Sequence, residues 1–175
     1  ADAKGLLKSA IRDEDPVIFI EGEMLYNLKG EVPDEEYVTP IGEADVKRAG
    51  TDATIICHSK TVAPALNAAK ALEDDGIYCE VIDLRTIRPL DTAAILASVA
   101  KTNRIVVAEE GWEFAGVGAQ VADLVQREAF DDLDHPVLRV HQADVPMPYN
   151  KHLEKAAKAD ANKIAAAVRT VCYRD

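Results

Sequence analysis

Between residues 44 and 172, short apolar runs alternate with stretches of helical periodicity, and this alternation limits the chain to few folds. Strands are expected over 44–48, 53–58, 78–84, 104–108 and 136–140. The run Ala53-Thr54-Ile55-Ile56-Cys57 is apolar without a polar alternate, as a strand covered on both faces must be. Helices are expected over 61–72, 92–100, 117–128 and 161–172. In the first of these, Val62, Ala65, Leu66, Ala69 and Leu72 share one face, and Ser59 is the expected cap. Pro64 falls in its first turn, where a missing N–H does little harm, and Gly76 ends it. Asp91 is the expected cap of the second helix. Such alternation implies a parallel sheet with helices on both faces, joined by right-handed crossovers.

The first 43 residues read differently. Leu6, Leu7, Ala10 and Ile11 are spaced for a helix over 4–12 behind Asp2 as cap. Pro16 opens Val17-Ile18-Phe19-Ile20, which reads as a buried strand. Residues 21–41 then lose all periodicity and hold Gly22, Gly30, Pro33 and Pro40 among acidic residues, the pattern of a linker. With 48% apolar residues in 175, a core is affordable and disorder is excluded for most of the chain. Lys and Arg total 20 against 31 Asp and Glu, a net charge of −11. That balance argues against nucleic acid or an anionic membrane as main partner, and its plain effect is solubility. No apolar run approaches the roughly 20 residues of a membrane span, and no signal-peptide pattern opens the chain. Cys57, Cys79 and Cys172 form no CxxC pair, which excludes a disulfide framework or zinc ribbon and fits a reducing compartment. The chain begins with Ala1, so it reads as a processed product or a fragment.

In a parallel sheet of this kind, sites lie beyond the carboxyl ends of the strands. Those ends carry His58-Ser59-Lys60, residues 83–91, Glu109-Glu110-Gly111-Trp112 with Phe114, Gly116 and Gly118, and residues 141–149. His58 and Ser59 are a base and a nucleophile in type, but adjacent side chains diverge and no GxSxG elbow surrounds the serine. Arg85 and Arg88 suit an anion clamp, or salt bridges to acids such as Glu109 and Glu110. Gly116 and Gly118 precede a helix whose free N–H groups suit an anion, although close backbone packing explains them equally. Trp112 and Phe114, two of nine aromatics, sit in a loop, which favours an interface. Glu109 and Glu110 are an acid/base pair in type, but a solvated edge is the expected reading. The four histidines, His58, His135, His141 and His152, lack metal-ligand spacing. Residue chemistry by itself therefore gives an α/β domain without a complete catalytic constellation.

Taken in order, these segments resemble a known family. Residues 2–13 with 16–26, Thr39-Pro40-Ile41-Gly42, Cys57-His58-Ser59, residues 80–91 and 109–118, and Asp144-Val145-Pro146-Met147-Pro148-Tyr149 are similar to the beta subunits of pyruvate dehydrogenases. The resemblance spans essentially the whole chain. It implies a three-layer α/β/α fold with a five-stranded, mostly parallel sheet and one antiparallel edge strand, the transketolase C-terminal domain. It implies residues 1–21 as the tail of a pyrimidine-binding domain, 22–42 as linker and 43–175 as that C-terminal domain. The family decarboxylates pyruvate on thiamine diphosphate with magnesium and reductively acetylates lipoyl groups. Its cofactor-activating glutamate, pyrimidine pocket and potassium loop would lie upstream of Ala1, so this piece alone is expected to bind no cofactor and to be inactive. Implied partners are an alpha subunit, a second beta subunit and the peripheral-subunit-binding domain of dihydrolipoyl acetyltransferase. Asp134, in Leu133-Asp134-His135-Pro136, and the C-terminal Asp175 fall at the family's docking surface. Trp112, Phe114 and Val117 fall at a subunit interface, with Arg85 and Arg88 holding the loop edge. The implied compartment is bacterial cytoplasm or mitochondrial matrix. The alternative is a free-standing module that binds a nucleotide or anion at the Gly116–Gly118 helix end.

Overall fold

The most uniformly apolar strand of the sequence lies at the centre of the sheet. In a computed structural model that describes residues 1–174, the strands are Asp45–Arg48 (β1), Ala53–Cys57 (β2), Cys79–Asp83 (β3), Ile105–Trp112 (β4) and Leu138–Gln142 (β5). Their order is β1-β3-β2-β4-β5. Strand β2 pairs in parallel with β3 and β4, β4 pairs in parallel with β5, and only β1 is antiparallel, along β3. Every residue of β2 is buried. The expected fold class, including its single antiparallel edge strand, is the one observed.

Helices cover both faces. Val62–Leu72 (α2) and Ala161–Val171 (α6) bury Ala65, Leu72, Ile164 and Val168 against Ile55, Val81 and Val106. On the other face, Thr92–Thr102 (α3) and Val117–Glu128 (α4) bury Ile95, Val99, Val121 and Val125 against Ile56, Ile105 and Val107. The short helix Lys151–Ala157 (α5) had no periodic signal long enough to announce it; Asn150 caps it by accepting the N–H groups of His152 and Leu153. Asp91 caps α3 as expected, accepting the Ala94 N–H, and Gly76 takes a left-handed φ of 71° just past α2. Ser59 does not cap α2. It sits in a 3₁₀ turn with a φ of 52°, and the hydroxyl at the start of the helix is that of Thr61.

Gly50 lets the turn into β2 lie directly on β3. A Cβ there would stand 2.1 Å from the Cys79 carbonyl carbon and 2.2 Å from the Glu80 nitrogen, both backbone atoms that cannot swing aside. The following amides of Thr51 and Asp52 donate to Tyr78 O at 2.9 and 3.0 Å.

The N-terminal segment departs most from expectation. Helix Asp2–Arg12 (α1) starts before Lys4, and Asp2 is not its cap; its carboxylate is drawn instead to Lys47 and Arg85, at 2.6 and 2.7 Å. Residues 33–39, expected as plain linker, clasp the helix. Lys8 and Arg12 both pair with Glu36 at 2.6 Å, the Tyr37 hydroxyl donates to Ala1 O, and Gly5 faces Thr39 with no room for a Cβ. Residues 17–20 form no strand. Ile18 is 88% exposed and Ile20 86% exposed, because a strand exists only through a paired neighbour and none reaches them.

Two outcomes follow from this packing. Gly50→Ala should lower stability by about 1–3 kcal/mol through forced backbone displacement, seen as a lower urea midpoint. The α1 clasp should be acid-sensitive. Burial alone would push the Asp2 carboxyl up, but Lys47 and Arg85 outweigh it and hold the group below its ordinary value of 3.8. Hydrogen bonds from Lys8 and Arg12 hold Glu36 down at about 2 against an ordinary 4.5. A lowered folded-state value stabilises above the ordinary carboxylate range and fades as pH falls toward about 2. Amide exchange of α1, corrected for its intrinsic pH dependence, should therefore accelerate relative to β2 between pH 4.5 and 2.

Candidate functional site at the carboxyl edge

From β2 the chain crosses first to β3 on one side and later to β4 on the other, so the strand order reverses at the β2–β4 seam. Beyond the carboxyl ends at such a reversal lies the natural place for a ligand. Here the seam is bridged by the protein's own groups. The Thr61 hydroxyl lies 2.7 Å from His58 O and 3.1 Å from Ala108 O. Lys60 Nζ spans to Glu110 Oε2 at 2.8 Å. His58 Nε2 is buried without a hydrogen-bond partner among the described residues. Burial pushes its pKa below the ordinary His value despite Glu109, Asp83 and Glu110 nearby, so the ring is neutral at pH 7. No hydrogen bond joins His58 to Ser59 among the described residues, and the structure gives the pair no catalytic geometry.

Glu109 overturns the expectation of a solvated edge. It is 2% exposed, because β4 runs four residues past Ala108 and carries Glu109 inward under the start of α4. Its Oε1 accepts the Gly118 N–H at 3.1 Å and lies 3.3 Å from Arg139 Nη2 of β5. The glycines now have a cause. A Cβ on Gly116 would lie 2.5 Å from Oε1, and one on Gly118 2.6 Å from it. The helix N-terminus proposed for an outside anion is thus already occupied by a carboxylate of the chain. The sequence held the signal, one glycine before a helix, another in its first turn and an acid at the end of an apolar run, but only the fold brings them together.

The end of β4 and the loop that follows display aromatic side chains, Trp112 closing the strand where a loop was expected and Phe114 lying beyond it. Phe114 is 86% exposed and Trp112 half exposed, while the backbone at Trp112 still pairs with Gln142 of β5. Val117 is partly buried against the α3–α4 core. The Arg139 guanidinium reaches Glu113 O at 2.5 Å, and His141 Nε2 lies 3.8 Å from the Glu113 carboxylate. Ser59, Arg85 and Ala115, none of them glycine, all take left-handed φ between 52° and 57° where the chain leaves a strand or enters a helix on this edge.

Arg85 pairs with Asp2 at 2.7 Å and Asp45 at 2.9 Å, not with Glu109 or Glu110 as the sequence suggested. The reason is its backbone: in the left-handed conformation just past β3 the side chain turns toward β1. Burial raises the neighbouring Asp83 carboxyl, which accepts the Arg85 N–H at 3.0 Å. Arg88 is exposed and has no ion pair among the described residues. Asp134 stands at the other end of the sheet. Its N–H donates to Asn103 O, its carboxylate pairs with Arg104 at 2.6 Å, and its carbonyl accepts the Tyr173 hydroxyl at 2.7 Å. The His135 ring packs edge-on against Tyr173, with centroids 5.6 Å apart. Sequence reading missed Arg104 and Tyr173, whose roles arise from contacts made across long sequence separations. Asp175 lies outside the described residues. Among the described residues no cluster of three or more His, Cys, Asp or Glu side chains is placed to hold a metal ion. No helix among them is long and apolar enough to cross a membrane.

The chain is 51% identical over 172 residues to the pyruvate dehydrogenase E1 component subunit beta of Rickettsia felis, covering 98% of this chain and 53% of that one. It is 48% identical over 179 residues to the mitochondrial E1 subunit beta of Dictyostelium discoideum, covering 100% of this chain and 50% of that one. The chain thus spans about half the length of these relatives. Among solved structures, a split-gene transketolase described as an inactive beta4 tetramer superposes with a TM-score of 0.70 at 30% identity, covering 82% of this chain and 46% of that one. The family model for the transketolase C-terminal domain matches residues 42–164, which hold all five strands and the seam between β2 and β4, and the chain belongs to that family.

Proposed function

We propose that this chain is the C-terminal part of the beta subunit of a pyruvate dehydrogenase, whose whole enzyme decarboxylates pyruvate on thiamine diphosphate and passes the acetyl unit to a lipoyl group. The observation that carries this reading is 51% identity over 98% of the chain to a subunit of that name. Residues 1–21 are then the end of a preceding domain, 22–42 the linker and 43–175 the C-terminal domain. The exposed apolar run at 17–20 supports that division, since it has the composition of a strand whose neighbours lie elsewhere. The relatives come from a bacterium and from mitochondria, which favours bacterial cytoplasm or mitochondrial matrix as the compartment.

The role of this part is assembly. The carboxyl edge, with Trp112, Phe114 and Val117, is read as a contact with an alpha or second beta subunit, supported by the exposure of its aromatics. The opposite edge, with Asp134, is read as the dock for the peripheral-subunit-binding domain of the acetyltransferase; Asp175, outside the described residues, is assigned to that dock on the family resemblance alone. An acidic chain of net charge −11 suits a basic partner there. Arg85 is read as holding the loop edge, on the strength of its ion pairs; Arg88 draws no such support.

The described residues do not fit thiamine diphosphate with magnesium. The α4 N-terminus, the candidate anion site on this edge, is filled by Glu109, and among the described residues no cluster of three or more His, Cys, Asp or Glu is placed to hold the metal. In this reading the cofactor and its chemistry belong to segments outside this chain.

The complete beta chain, co-expressed with its alpha partner, should release CO₂ from pyruvate only when thiamine diphosphate and magnesium are supplied; an inactive but assembled tetramer would remove the reading. Asp134→Ala should weaken calorimetric binding to the acetyltransferase's binding domain by about 1 kcal/mol, roughly fivefold, with the fold intact. Unchanged affinity would take Asp134 out of the dock.

A further inference from the structure

We infer that Glu109 is the positioning residue of the aromatic loop, acting as an internal anion around which residues 110–118 fold. The inference deepens the reading of Trp112 and Phe114 as partner-facing and rests on it only for what the loop touches.

Three backbone segments converge on this one carboxylate. The N-terminus of α4 approaches through the Gly118 N–H at 3.1 Å. The loop approaches through Gly116, whose missing Cβ leaves the space in which Oε1 and Oε2 sit, and the end of β4 itself lies close at Gly111, whose Cβ position is 3.5 Å from Oε2. Strand β5 approaches through Arg139, 3.3 Å from Oε1. The same guanidinium donates to Glu113 O at 2.5 Å, so one cation links the buried acid to the middle of the loop. Ala115 is held at a φ of 57°, a conformation that an alanine keeps only when its surroundings impose it.

An uncharged side chain of the same size cannot replace this set of contacts. The positive end of the α4 dipole and the Arg139 guanidinium both face inward, and Glu109 is the carboxylate bonded to both. Without the negative charge, Arg139 loses its buried counter-ion, and its hold on Glu113 no longer has a fixed origin. The loop then loses the conformation that presents Phe114 outward and leaves Trp112 half covered.

Trp112 is the only tryptophan of these 175 residues, so in the complete beta chain, with any tryptophan elsewhere replaced by phenylalanine, its fluorescence reports the loop. Glu109→Ala should shift its emission to the red. Since the side chain is 49% exposed now, its acrylamide quenching constant should rise about twofold as the loop opens. Added acetate should reverse both changes, and chloride at the same ionic strength should not. Glu109→Gln and Gly116→Ala should show the same loosening without acetate reversal, the first for want of charge and the second for want of space. Far-UV circular dichroism checks the fold of each variant; should Glu109→Ala not fold, the other two carry the test. Glutamine behaving as wild type, or a folded alanine variant indifferent to acetate, would overturn the inference. The interface reading is tested apart, by association of the complete beta chain carrying Trp112→Ala and Phe114→Ala with its alpha partner. Undiminished association there sinks the interface while leaving the role of Glu109 standing.

Discussion

Strand β2 is hydrogen-bonded in parallel on both sides and buried on both faces, and the remaining architecture answers that constraint. A parallel pair needs a long crossover, and a strand without a wet face needs cover above and below. Helices α2 and α6 supply one cover, α3 and α4 the other. Because every crossover returns the chain to the same end of the sheet, the segments that leave the parallel strands gather on one edge. The outer flank of β3 is closed by β1, four residues long and carrying Asp45, Lys47 and Arg48. A short charged edge strand offers little template for further pairing.

The two faces differ in how their helices are fixed. The α2–α6 face holds an apolar cluster, with the buried Thr61 hydroxyl at the start of α2 bonded to backbone carbonyls rather than to a buried acid. The α3–α4 face contains two buried acids, one under each helix. Glu80 of β3 accepts the Ser98 hydroxyl at 2.5 Å and pairs with Lys101, both on α3, while Thr54 of β2 bonds Ser98 and Thr102 at 2.6 and 2.8 Å. Glu109 of β4 holds α4 through Gly118. Apolar contact alone tolerates sliding of a helix along a sheet, whereas a buried carboxylate is costly in every register but the one where its donors meet it. These acids therefore specify where α3 and α4 sit more than they add to stability.

Features encoded locally were legible in the sequence, and those made by distant contacts were not. Helix α4 spans Val117–Glu128 as its periodicity and leading glycine indicated, and Asp91 and Gly76 mark helix ends through short-range geometry. Strand β4 runs longer than its apolar part, because Glu109, Glu110 and Gly111 have no strand signature and are carried into the sheet by a bulged pairing with β5. The burial of Glu109 was hidden for the same reason, since its partners Gly118 and Arg139 come from two other elements. Residues 17–20 show the converse failure: local composition specified a strand, but pairing, which is not local, did not follow. At the candidate site, the aromatic loop was visible from residue type, while the Arg85 partners on α1 and β1 depended on a backbone conformation that no residue type announces.

The fold also sets how the two edges relate. Asp134 is bonded to Asn103 and Arg104, just before β4, and Trp112 ends that strand. Eight strand residues at about 3.3 Å each put roughly 26 Å between them. At physiological salt, charges separated by more than about 8 Å are largely screened from each other. In the proposed assembly, a basic domain at the Asp134 edge and a subunit against Trp112 and Phe114 therefore do not communicate through the charge field. What connects them is β4 itself, fully buried from Ile105 to Glu109 and hydrogen-bonded on both sides. Such a strand transmits displacement only if the sheet shifts as a body, and the acids beneath α3 and α4 oppose that shift. The same buried charges that fix the helices thus favour two docking edges that act independently.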